Sequence, residues 1–361
     1  MDYVGDEMTR NDLPVPRLVI YGVGQYGSMI ARLAAERGWA IDAAFNRSGP
    51  KVGQDLGQVA GLGRDLGVII QDSEKGDYDN LNANIGVVTH RDLLQSNLDA
   101  YRRLMNAGLN IACHGVQSYL PAGNDPEAAA EIEALAKSKG VTFTGCGIWD
   151  MSRIWSGILA AGPCTSLTRI HISSLTDPQG QCNSLEQIKQ YCISDPVETF
   201  YEKKIDKNKA ALAKKTIPEM VLRALGYTII ESTAAIEPIV YDTPVETKFV
   251  PEGYFEAGLC VGVRFTTRTT TREGVVGTGL IEQRMFRPGD VEHMYWEVEG
   301  LPRSRVRVER QDSAEATAGN LFNRIPDIID ARPGIVPVYE MGPLRSTAKR
   351  WPRVTSMGER F

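Results

Sequence analysis

The sequence has no long apolar run, and no stretch approaches the roughly 18 consecutive apolar residues that would indicate a membrane span. It begins MDYVGDEMTRNDLPVPR, which is polar and acidic and lacks the apolar centre of a secretory signal. Neither a CxxC pair, nor an HExxH helix motif, nor a GxSxG nucleophile elbow occurs. These absences exclude the usual zinc-binding and serine-hydrolase patterns. They predict a cytoplasmic protein that holds no metal and does not interact with a membrane.

Histidine and cysteine are scarce as well, and the chain has no excess of positive charge. The four histidines and six cysteines show no metal-ligand spacing, and unpaired cysteines in so long a chain predict reduced thiols. The net charge of −5 argues against nucleic acid as a partner, since such surfaces are usually basic. A hydrophobic content of 42% over 361 residues supports ordinary packed cores, and the length predicts two domains.

The first half of the chain alternates between short apolar strands and helical stretches. LVIY at 18–21 precedes a glycine turn and a helix with apolar residues at helical spacing. Further strands are predicted at 39–47, 85–90, 110–115 and 141–147. Strands that alternate with helices in this way predict an α/β fold, with an N-terminal Rossmann domain built on a doubly wound parallel sheet.

The second half changes character. Period-two alternation with many β-branched residues between 258 and 310 predicts a second, α+β domain on a mostly antiparallel sheet. We expect a dinucleotide-binding domain at 1–150, completed by the tail 313–361, and a substrate and dimerisation domain at 151–312. The lysine-rich run EKKIDKNKAALAKK at 202–215 is interpreted as a solvated helix face and not as an anion site.

The strongest chemical signal is a GxGxxG turn formed by Gly22, Gly24 and Gly27, with Gln25 and Tyr26 between them. It follows a strand directly and opens a helix, which is the context that a pyrophosphate site requires. The first glycine permits the tight turn, the second lets the backbone approach the pyrophosphate, and the third allows close helix–strand packing. The helix N-terminus then offers N–H groups to the phosphates. The turn predicts dinucleotide binding.

The end of the second strand bears on the choice of cofactor. NAD sites usually carry an acidic residue near this point, and none is in reach there, because Asp42 lies too early in the strand. Asn46, Arg47 and Ser48 instead offer an arginine between two short polar side chains, which suits the 2′-phosphate of NADP. We therefore predict NADP, with NAD as the alternative. The competing interpretation is that Arg47 is a solvated turn residue.

Two other strand ends carry histidines. Ligands in open α/β sheets bind beyond the carboxyl ends of the strands, where Thr89 and His90 follow one strand and Cys113 and His114 follow the next. These residues are candidates for contacts with cofactor or substrate, and either histidine could transfer a proton or be an ordinary loop residue. His171 lies inside an alternating strand and is interpreted as structural.

The chain resembles the dihydrodipicolinate reductase-like oxidoreductases, and within them the 2,4-diaminopentanoate dehydrogenases and native amine dehydrogenases. The resemblance rests on GVGQYG, GQDLGQVAGLGRDLGV (53–68), NAGLNIACHGVQSYLP (106–121), GCG (145–147), TRIHIS (168–173) and NRIPDIIDARPGIVPV (323–338). It implies a Rossmann domain, a substrate domain on a curved β-sheet, a homodimer, and hydride transfer from NAD(P)H to an imine or carbonyl carbon.

The sequence departs from this family at two places where the substrate should lie. Amine dehydrogenases of the family have a glutamate pair at the positions of Val116 and Gln117, and neither side chain can take a proton or pair with an ammonium ion. The segment Ile148–Arg153 stands where the family tends to have an Asn-Pro-Gly turn. The resemblance therefore carries over for fold and cofactor, while amine chemistry is not implied.

We expect an NADP-preferring oxidoreductase that transfers a hydride between nicotinamide and a small carbonyl/alcohol or imine/amine substrate. Two alternatives are a native amine dehydrogenase that performs reductive amination with ammonia, and a non-catalytic NADP-binding sensor. Without the acid pair, the candidates for proton transfer or substrate contact are His114, Gln117, Tyr119, His90 and Asp150.

Overall fold

The computed structural model describes residues 15–182, 184–189, 192–208, 211–310 and 312–349. Residues 1–14, for which no secretory signal is predicted, lie outside the described residues. In the part of the chain that is described, no helix is long and apolar enough to cross a membrane.

A parallel sheet occupies the first part of the chain. Six of its strands are β1 (Arg17–Tyr21), β2 (Ala40–Asn46), β3 (Ile70–Asp72), β4 (Ile85–Val88), β5 (Asn110–Cys113) and β6 (Thr142–Gly145). The helices between them are α1 (Gln25–Arg37), α2 (Leu56–Val59), α3 (Leu98–Asn106), α4 (Pro121–Asn124) and α5 (Pro126–Lys139). The spatial order β6-β5-β4-β1-β2-β3 reverses direction between β1 and β4, which creates a crevice at the strand ends.

Strand β1 shows why this sheet is covered on both sides. Side chains alternate along a strand, so Leu18 and Ile20 enter one core while Val19 and Tyr21 enter another. The first core includes side chains from α1, and the second includes side chains from α3 and α5. Because helices cover both faces, the strand is a continuous hydrophobic run after Arg17.

The second sheet is mixed and belongs to the middle of the chain. Its strands are β7 (Ser166–Thr176), β8 (Ile229–Val240), β11 (Cys260–Thr271), β12 (Val276–Arg284), β13 (His293–Leu301) and β14 (Ser304–Glu309). They lie in the order β14-β13-β7-β12-β11-β8, and only β7 and β12 run parallel. The α-helices described in this part are α6 (Ser156–Ala161), α7 (Leu185–Lys189), α8 (Val197–Asn208) and α9 (Thr216–Ala224). A separate ribbon joins β9 (Val245–Glu246) and β10 (Tyr254–Phe255).

The two faces of the second sheet differ in character. The inner face carries buried side chains such as Trp296 and Phe265, against which α6 and α9 pack. The outer face carries cross-strand ion pairs, including Arg169 with Glu299 at 3.1 Å. This one-sided burial produces the period-two alternation of the sequence.

The tail of the chain returns to the parallel sheet. Helix α10 (Ser313–Ile329) packs against α1, and β15 (Gly334–Ile335) pairs with β6. The predicted fold, a Rossmann sheet followed by a second part on a mostly antiparallel sheet, is confirmed. The domain limits 1–150, 151–312 and 313–361 stay a prediction.

A buried ion pair joins the end of the parallel sheet to this tail. Asp150 and Arg324 have fully buried side chains, and the guanidinium donates from Nε and Nη2 to both carboxylate oxygens at 2.8 and 2.9 Å. Burial raises the pKa of the Asp150 carboxyl, and the Arg324 charge opposes that shift. The bidentate geometry satisfies both partners, which is the condition for a buried pair to be tolerated.

We predict that this pair is important for stability. Arg324→Met should lower the free energy of unfolding by about 3–5 kcal/mol, because it leaves a buried carboxyl without its partner. Arg102→Met is the matched control, since Arg102 pairs with Glu131 on the surface and should contribute at most about 1 kcal/mol. Urea titration followed by circular dichroism measures both. Equal losses in the two variants would contradict the assignment.

Candidate cofactor and substrate site

The three glycines of the GxGxxG turn have different steric surroundings. Gly22 has a φ of +99° and its N–H donates to the Phe45 carbonyl at 2.8 Å. A Cβ on Gly27 would lie 2.0 Å from the Gly22 carbonyl oxygen, so only glycine lets α1 pack this closely against β1. A Cβ on Gly24 would meet nothing within 4 Å. Gly24 therefore borders open space at the start of α1, where a pyrophosphate fits.

Side chains from three neighbouring segments hold the backbone of this turn. Asn46 accepts a hydrogen bond from the Val23 N–H at 3.1 Å, and the Thr89 hydroxyl donates to the Gly22 carbonyl at 2.6 Å. The Lys51 ammonium donates to the Val23 carbonyl at 2.5 Å, which places a positive charge beside the turn. Asn46 and Thr89 thus shape the turn, and Lys51 adds an electrostatic contribution that favours an anion.

A cleft of about 1210 Å³ opens along these strand ends. Its lining combines the glycine turn, the loop after β2 and the loop after β4 with one side of α7. The charged side chains in the lining are Arg47, Lys51, Arg91, Lys189, Asp92 and Glu186. Cations outnumber carboxylates there, and the size exceeds what most small substrates need. The cleft therefore fits a large anionic ligand such as a dinucleotide.

The expectation that no carboxylate reaches the end of β2 is wrong. Asp72 ends β3 directly beside Asn46, and its carboxylate accepts the hydrogen bond of the Ser48 hydroxyl. That bond lowers the pKa of Asp72, so the group stays ionised. Sequence reasoning missed it because Asp72 is distant in the chain and becomes a neighbour only through strand pairing. Arg47 is exposed and lines the cleft, whereas Asp72 is not among the lining residues.

The two strand-end histidines differ in their surroundings. His90 lines the cleft, and burial together with the charges of Arg91 and Arg47 lowers its pKa. His114 packs edge-on against the ring of Tyr26 at 4.9 Å, and its buried Nδ1 has no hydrogen-bond partner. Burial lowers the pKa of His114, while the Asp92 carboxylate and a backbone hydrogen bond with Val88 oppose the shift. A buried ring nitrogen without a partner is costly, and a bound ligand would satisfy it.

Other sequence candidates have internal partners. The Cys113 sulfur is buried against the Tyr101 hydroxyl at 3.0 Å. The Gln117 side-chain oxygen accepts the Leu94 N–H at 3.0 Å, which ties the turn after β5 to the loop after β4. Gln25 is exposed at the start of α1, outside the cleft lining.

Tyr119 and Asp150 lie deeper. The buried Tyr119 hydroxyl accepts the Trp149 N–H at 3.2 Å, and the two rings stack at 5.1 Å. Asp150 is occupied by Arg324, as described above. These contacts favour structural roles for Cys113, Tyr119 and Asp150, and leave His114 as the candidate with an unfilled hydrogen-bonding position.

A second polar region lies between the turn after β5 and the inner face of the mixed sheet. Arg153 is carried by a π-helical segment, Asp150–Trp155, and donates to the Ser174 hydroxyl at 3.2 Å. Segments of this kind are frequent at functional sites. Arg310 pairs with Glu292, which also accepts the Ser313 hydroxyl at 2.6 Å. This region was not predicted from the sequence.

Lys214 belongs to the same region, and the interpretation of the lysine run as a solvated face is wrong for this residue. Lys214 is buried, with its ammonium 4.2 Å from the centre of the Phe265 ring. Burial lowers the pKa of Lys214 to about 7; Arg153 lowers it further and Asp92 opposes the shift. The side chains of 203–211, within the same run, lie outside the described residues.

A sequence signal for Lys214 did exist. It precedes Ile217, Pro218 and Val221 by three, four and seven residues, and all three are buried. This spacing places the lysine on the apolar side of a helical segment, which is an unusual position for an exposed cation.

The family-like stretch at 53–68 has a structural explanation. The Asp55 carboxylate accepts the N–H groups of Gly57, Leu66 and Val68 at 2.7, 2.9 and 3.1 Å. Burial raises the pKa of Asp55, but these donors outweigh it and the net shift is downward. One carboxylate thereby closes the loop between α2 and β3, which makes this stretch a marker of fold.

Comparisons with known proteins agree with this architecture, although no protein-family model matches the chain. The chain is similar to 2,4-diaminopentanoate dehydrogenase of Acetoanaerobium sticklandii, with 25% identity over 88% of this chain and 91% of that protein. It is similar in structure to an amine dehydrogenase from Mycobacterium smegmatis, with a TM-score of 0.81, 27% identity, and coverage of 92% and 97%. The chain is a dehydrogenase. The predicted resemblance to the amine dehydrogenases is confirmed.

More distant structures share the fold. Biliverdin reductase from Synechocystis, solved with biliverdin and NADP+, has a TM-score of 0.55 at 12% identity and covers 91% of this chain and 96% of its own. myo-Inositol 2-dehydrogenase from Lactobacillus plantarum has a TM-score of 0.53 at 16% identity, with coverage of 88% and 89%. At these identities the likeness concerns the fold alone.

The glycine turn supplies a direct test of where a cofactor binds. Gly24 has φ −91° and ψ −154°, an extended conformation with negative φ, so Gly24→Val should fold. Its side chain would enter the open space beside the turn, and cofactor affinity should fall at least about tenfold. Gly319→Val is the control, because a Cβ there also meets open space but lies outside the cleft lining. Isothermal titration calorimetry with NADPH measures the affinity of both variants. An unchanged affinity in Gly24→Val would show that the turn does not hold the phosphates.

Proposed function

We propose that this dehydrogenase prefers NADP and transfers a hydride between nicotinamide and a small carbonyl/alcohol or imine/amine substrate. The observation that carries the proposal is the open space at Gly24 beside a cation-lined cleft. The unpartnered Nδ1 of His114 lies two strands away at the end of β5, outside the cleft lining. Both features suit a dinucleotide that lies across the strand ends with its reactive ring near β5.

The proposed preference for NADP rests on charge. Arg47 follows β2 directly, where the ribose of a dinucleotide lies in this type of sheet, and it is exposed to the cleft. The ionised Asp72 is the feature that favours NAD, because a carboxylate at this place can accept ribose hydroxyls. Its hydrogen bond with Ser48 and its absence from the cleft lining support NADP as the preferred cofactor.

The residues of this chain then have three tasks. The cofactor supplies the hydride chemistry when bound. The glycine turn, Lys51 and Arg47 hold its phosphates by backbone N–H groups and positive charge. His114, at the end of β5, transfers the proton that accompanies the hydride; its depressed pKa keeps the ring neutral and able to accept a proton in the oxidative direction.

Two alternative functions remain as proposals for test. The names of the two relatives above indicate amine substrates for those proteins. In this chain Val116 and Gln117 provide no carboxylate, so carbonyl/alcohol chemistry is the preferred form of the proposal. A non-catalytic NADP-binding sensor is the other alternative. We also propose a cytoplasmic homodimer that pairs through the outer face of the mixed sheet, which the described residues of a single chain leave partly exposed.

Cofactor choice can be tested at one side chain. Arg47→Ala should weaken NADPH binding by about 1–3 kcal/mol and leave NADH nearly unchanged, because a charge-assisted contact to the 2′-phosphate is lost. Arg91→Ala removes a charge from the same cleft at another strand end and should affect the two cofactors equally. Fluorescence titration with both cofactors provides the comparison. A uniform effect in Arg47→Ala would refute the assignment.

Turnover assays distinguish the three proposed functions. We expect oxidation of NADPH with small ketones in the absence of ammonia, and no more than a modest increase when ammonia is added. His114→Ala should reduce turnover by about 10²–10⁴, the usual contribution of a general acid–base group. His171→Ala is the control, because this imidazole lies on the mixed sheet and bonds Thr278 at 2.8 Å. Efficient turnover only with ammonia would establish the amine dehydrogenase; no turnover with bound cofactor would favour the sensor.

A further inference from the structure

Two buried basic side chains in the second polar region have no carboxylate partner among the described residues. Arg153 is 3% exposed and Lys214 is 5% exposed. No carboxylate in the described part of the chain forms an ion pair with either, and the Nε of Arg153 has no hydrogen-bond partner. Each rests instead on an aromatic face, Arg153 on Trp149 at 5.4 Å and Lys214 on Phe265 at 4.2 Å. Buried charges are normally paired, and a bound anion would supply the pairing that the described residues do not.

The sheet register brings the two cations to one patch. Ser174, which accepts the Arg153 hydrogen bond, pairs with Ile281 on β12, and Ile281 pairs with Phe265 on β11. The two anchoring positions are therefore two strands apart, about 10 Å. The charge of Arg153 contributes to the lowered pKa of Lys214, which agrees with this proximity.

Neutral groups nearby are also unsatisfied. The hydroxyls of Thr176 on β7 and Thr267 on β11 are buried without a hydrogen-bond partner. Thr176 lies two residues beyond Ser174 on the same face, and Thr267 lies two residues beyond Phe265. Because β11 runs antiparallel to β7, the two hydroxyls lie on opposite sides of the row that joins Ser174 to Phe265. Buried polar atoms without partners are rare in folded proteins, and each of these offers a separate hydrogen-bonding position on this face.

The nearest carboxylates are engaged elsewhere. Glu292 accepts hydrogen bonds from Arg310 and Ser313. Asp92 is exposed at the cleft and accepts the Val116 N–H at 3.3 Å; its charge acts on Lys214 without forming an ion pair. The positive charge of the patch is thus not neutralised from within the described residues.

The patch lies next to the end of β5, where the proposed function places proton transfer by His114. The turn Val116–Tyr119, which follows β5 and His114, packs against the turn Ala211–Lys215 that carries Lys214. Positions 116 and 117 lack the glutamate pair of the amine dehydrogenases, and the segment 148–153 that departs from that family supplies Arg153. The first departure removes negative charge from the region, and the second places Arg153 in it.

We propose that Arg153 and Lys214 bind a carboxylate of the substrate, so that this dehydrogenase acts on an oxo acid or the corresponding hydroxy acid. The proposal rests on the proposed function above and specifies its substrate class. A substrate held by its carboxylate between these cations lies between the mixed sheet and the end of β5. An ammonium group would be repelled at the same place.

The test compares acids with their uncharged esters. With NADPH, 2-oxobutanoate and 4-oxopentanoate are assayed beside their methyl esters. We expect the unmodified enzyme to show a lower KM for at least one acid than for its ester. Lys214→Met should raise the KM of that acid at least about tenfold, and that of the ester less than about twofold. Lys215→Met, the adjacent and partly exposed lysine of the same run, should change neither.

Stability gives a second measurement that does not depend on turnover. Without ligand, Lys214→Met should keep or raise the thermal midpoint, since it replaces an unpaired buried cation by an apolar side chain. The acid should raise the midpoint of the unmodified protein and lose that effect in Lys214→Met and Arg153→Met. If Arg153→Met does not fold, Arg153→Lys, which retains the charge but not the two-pronged geometry, takes its place.

The outcomes separate this inference from the proposed function. Reduction of ketones and esters with equal KM for the acids, unchanged in Lys214→Met, would overturn the carboxylate site and leave the proposed function intact. Absence of any turnover, together with stabilisation by the acids that depends on Lys214, would support the site and refute the function. A loss of stability in Lys214→Met with no change in acid preference would assign Lys214 to the fold.

Discussion

The contact between the Gly27 position and the Gly22 carbonyl is the constraint on which the site depends. Because a single Cβ would collide there, the absence of one lets α1 approach β1 and turn its N-terminus toward the strand ends. The Phe45 carbonyl then fixes the first glycine, and Thr89 and Asn46 fix the backbone between. Three strands of the sheet thus contribute to one turn, which ties the geometry of the phosphate site to the packing of the whole parallel sheet.

Sequence reasoning reached the parts that local patterns determine. The strand–turn–helix unit and the period-two strands of the second half were predicted because burial on two faces or on one leaves a direct mark on the residue pattern. The pairing of Asn46 with Asp72 was missed, since strand order is a long-range property. The burial of Lys214 was not predicted, because a lysine-rich run normally faces solvent. Its helical spacing from Ile217 and Val221, which are buried, is the sequence feature that indicates otherwise.

The candidate residues divide according to whether the protein itself satisfies them. Asp150, Tyr119 and Cys113 have partners inside the fold, and their hydrogen-bonding capacity is occupied. His114 and Arg153 each retain a buried nitrogen without one. Residue type and position at a strand end do not show in the sequence which candidates have partners inside the fold. The partners of Asp150 and Tyr119 come from segments far along the chain.

The π-helical segment Asp150–Trp155 carries two buried charged side chains whose partners differ. At its start, Asp150 receives both hydrogen bonds of Arg324, so the charge is neutralised and the tail is joined to the sheet. At Arg153, one turn later, the charge rests on Trp149 and a single hydroxyl. Desolvation destabilises the charge at both positions. Within the described residues, only Asp150 has an oppositely charged partner that compensates for it. The fold neutralises the charge of Asp150 and leaves Arg153 and Lys214 without a carboxylate partner among the described residues. This difference supports the proposal that these two side chains bind an anion from outside the chain.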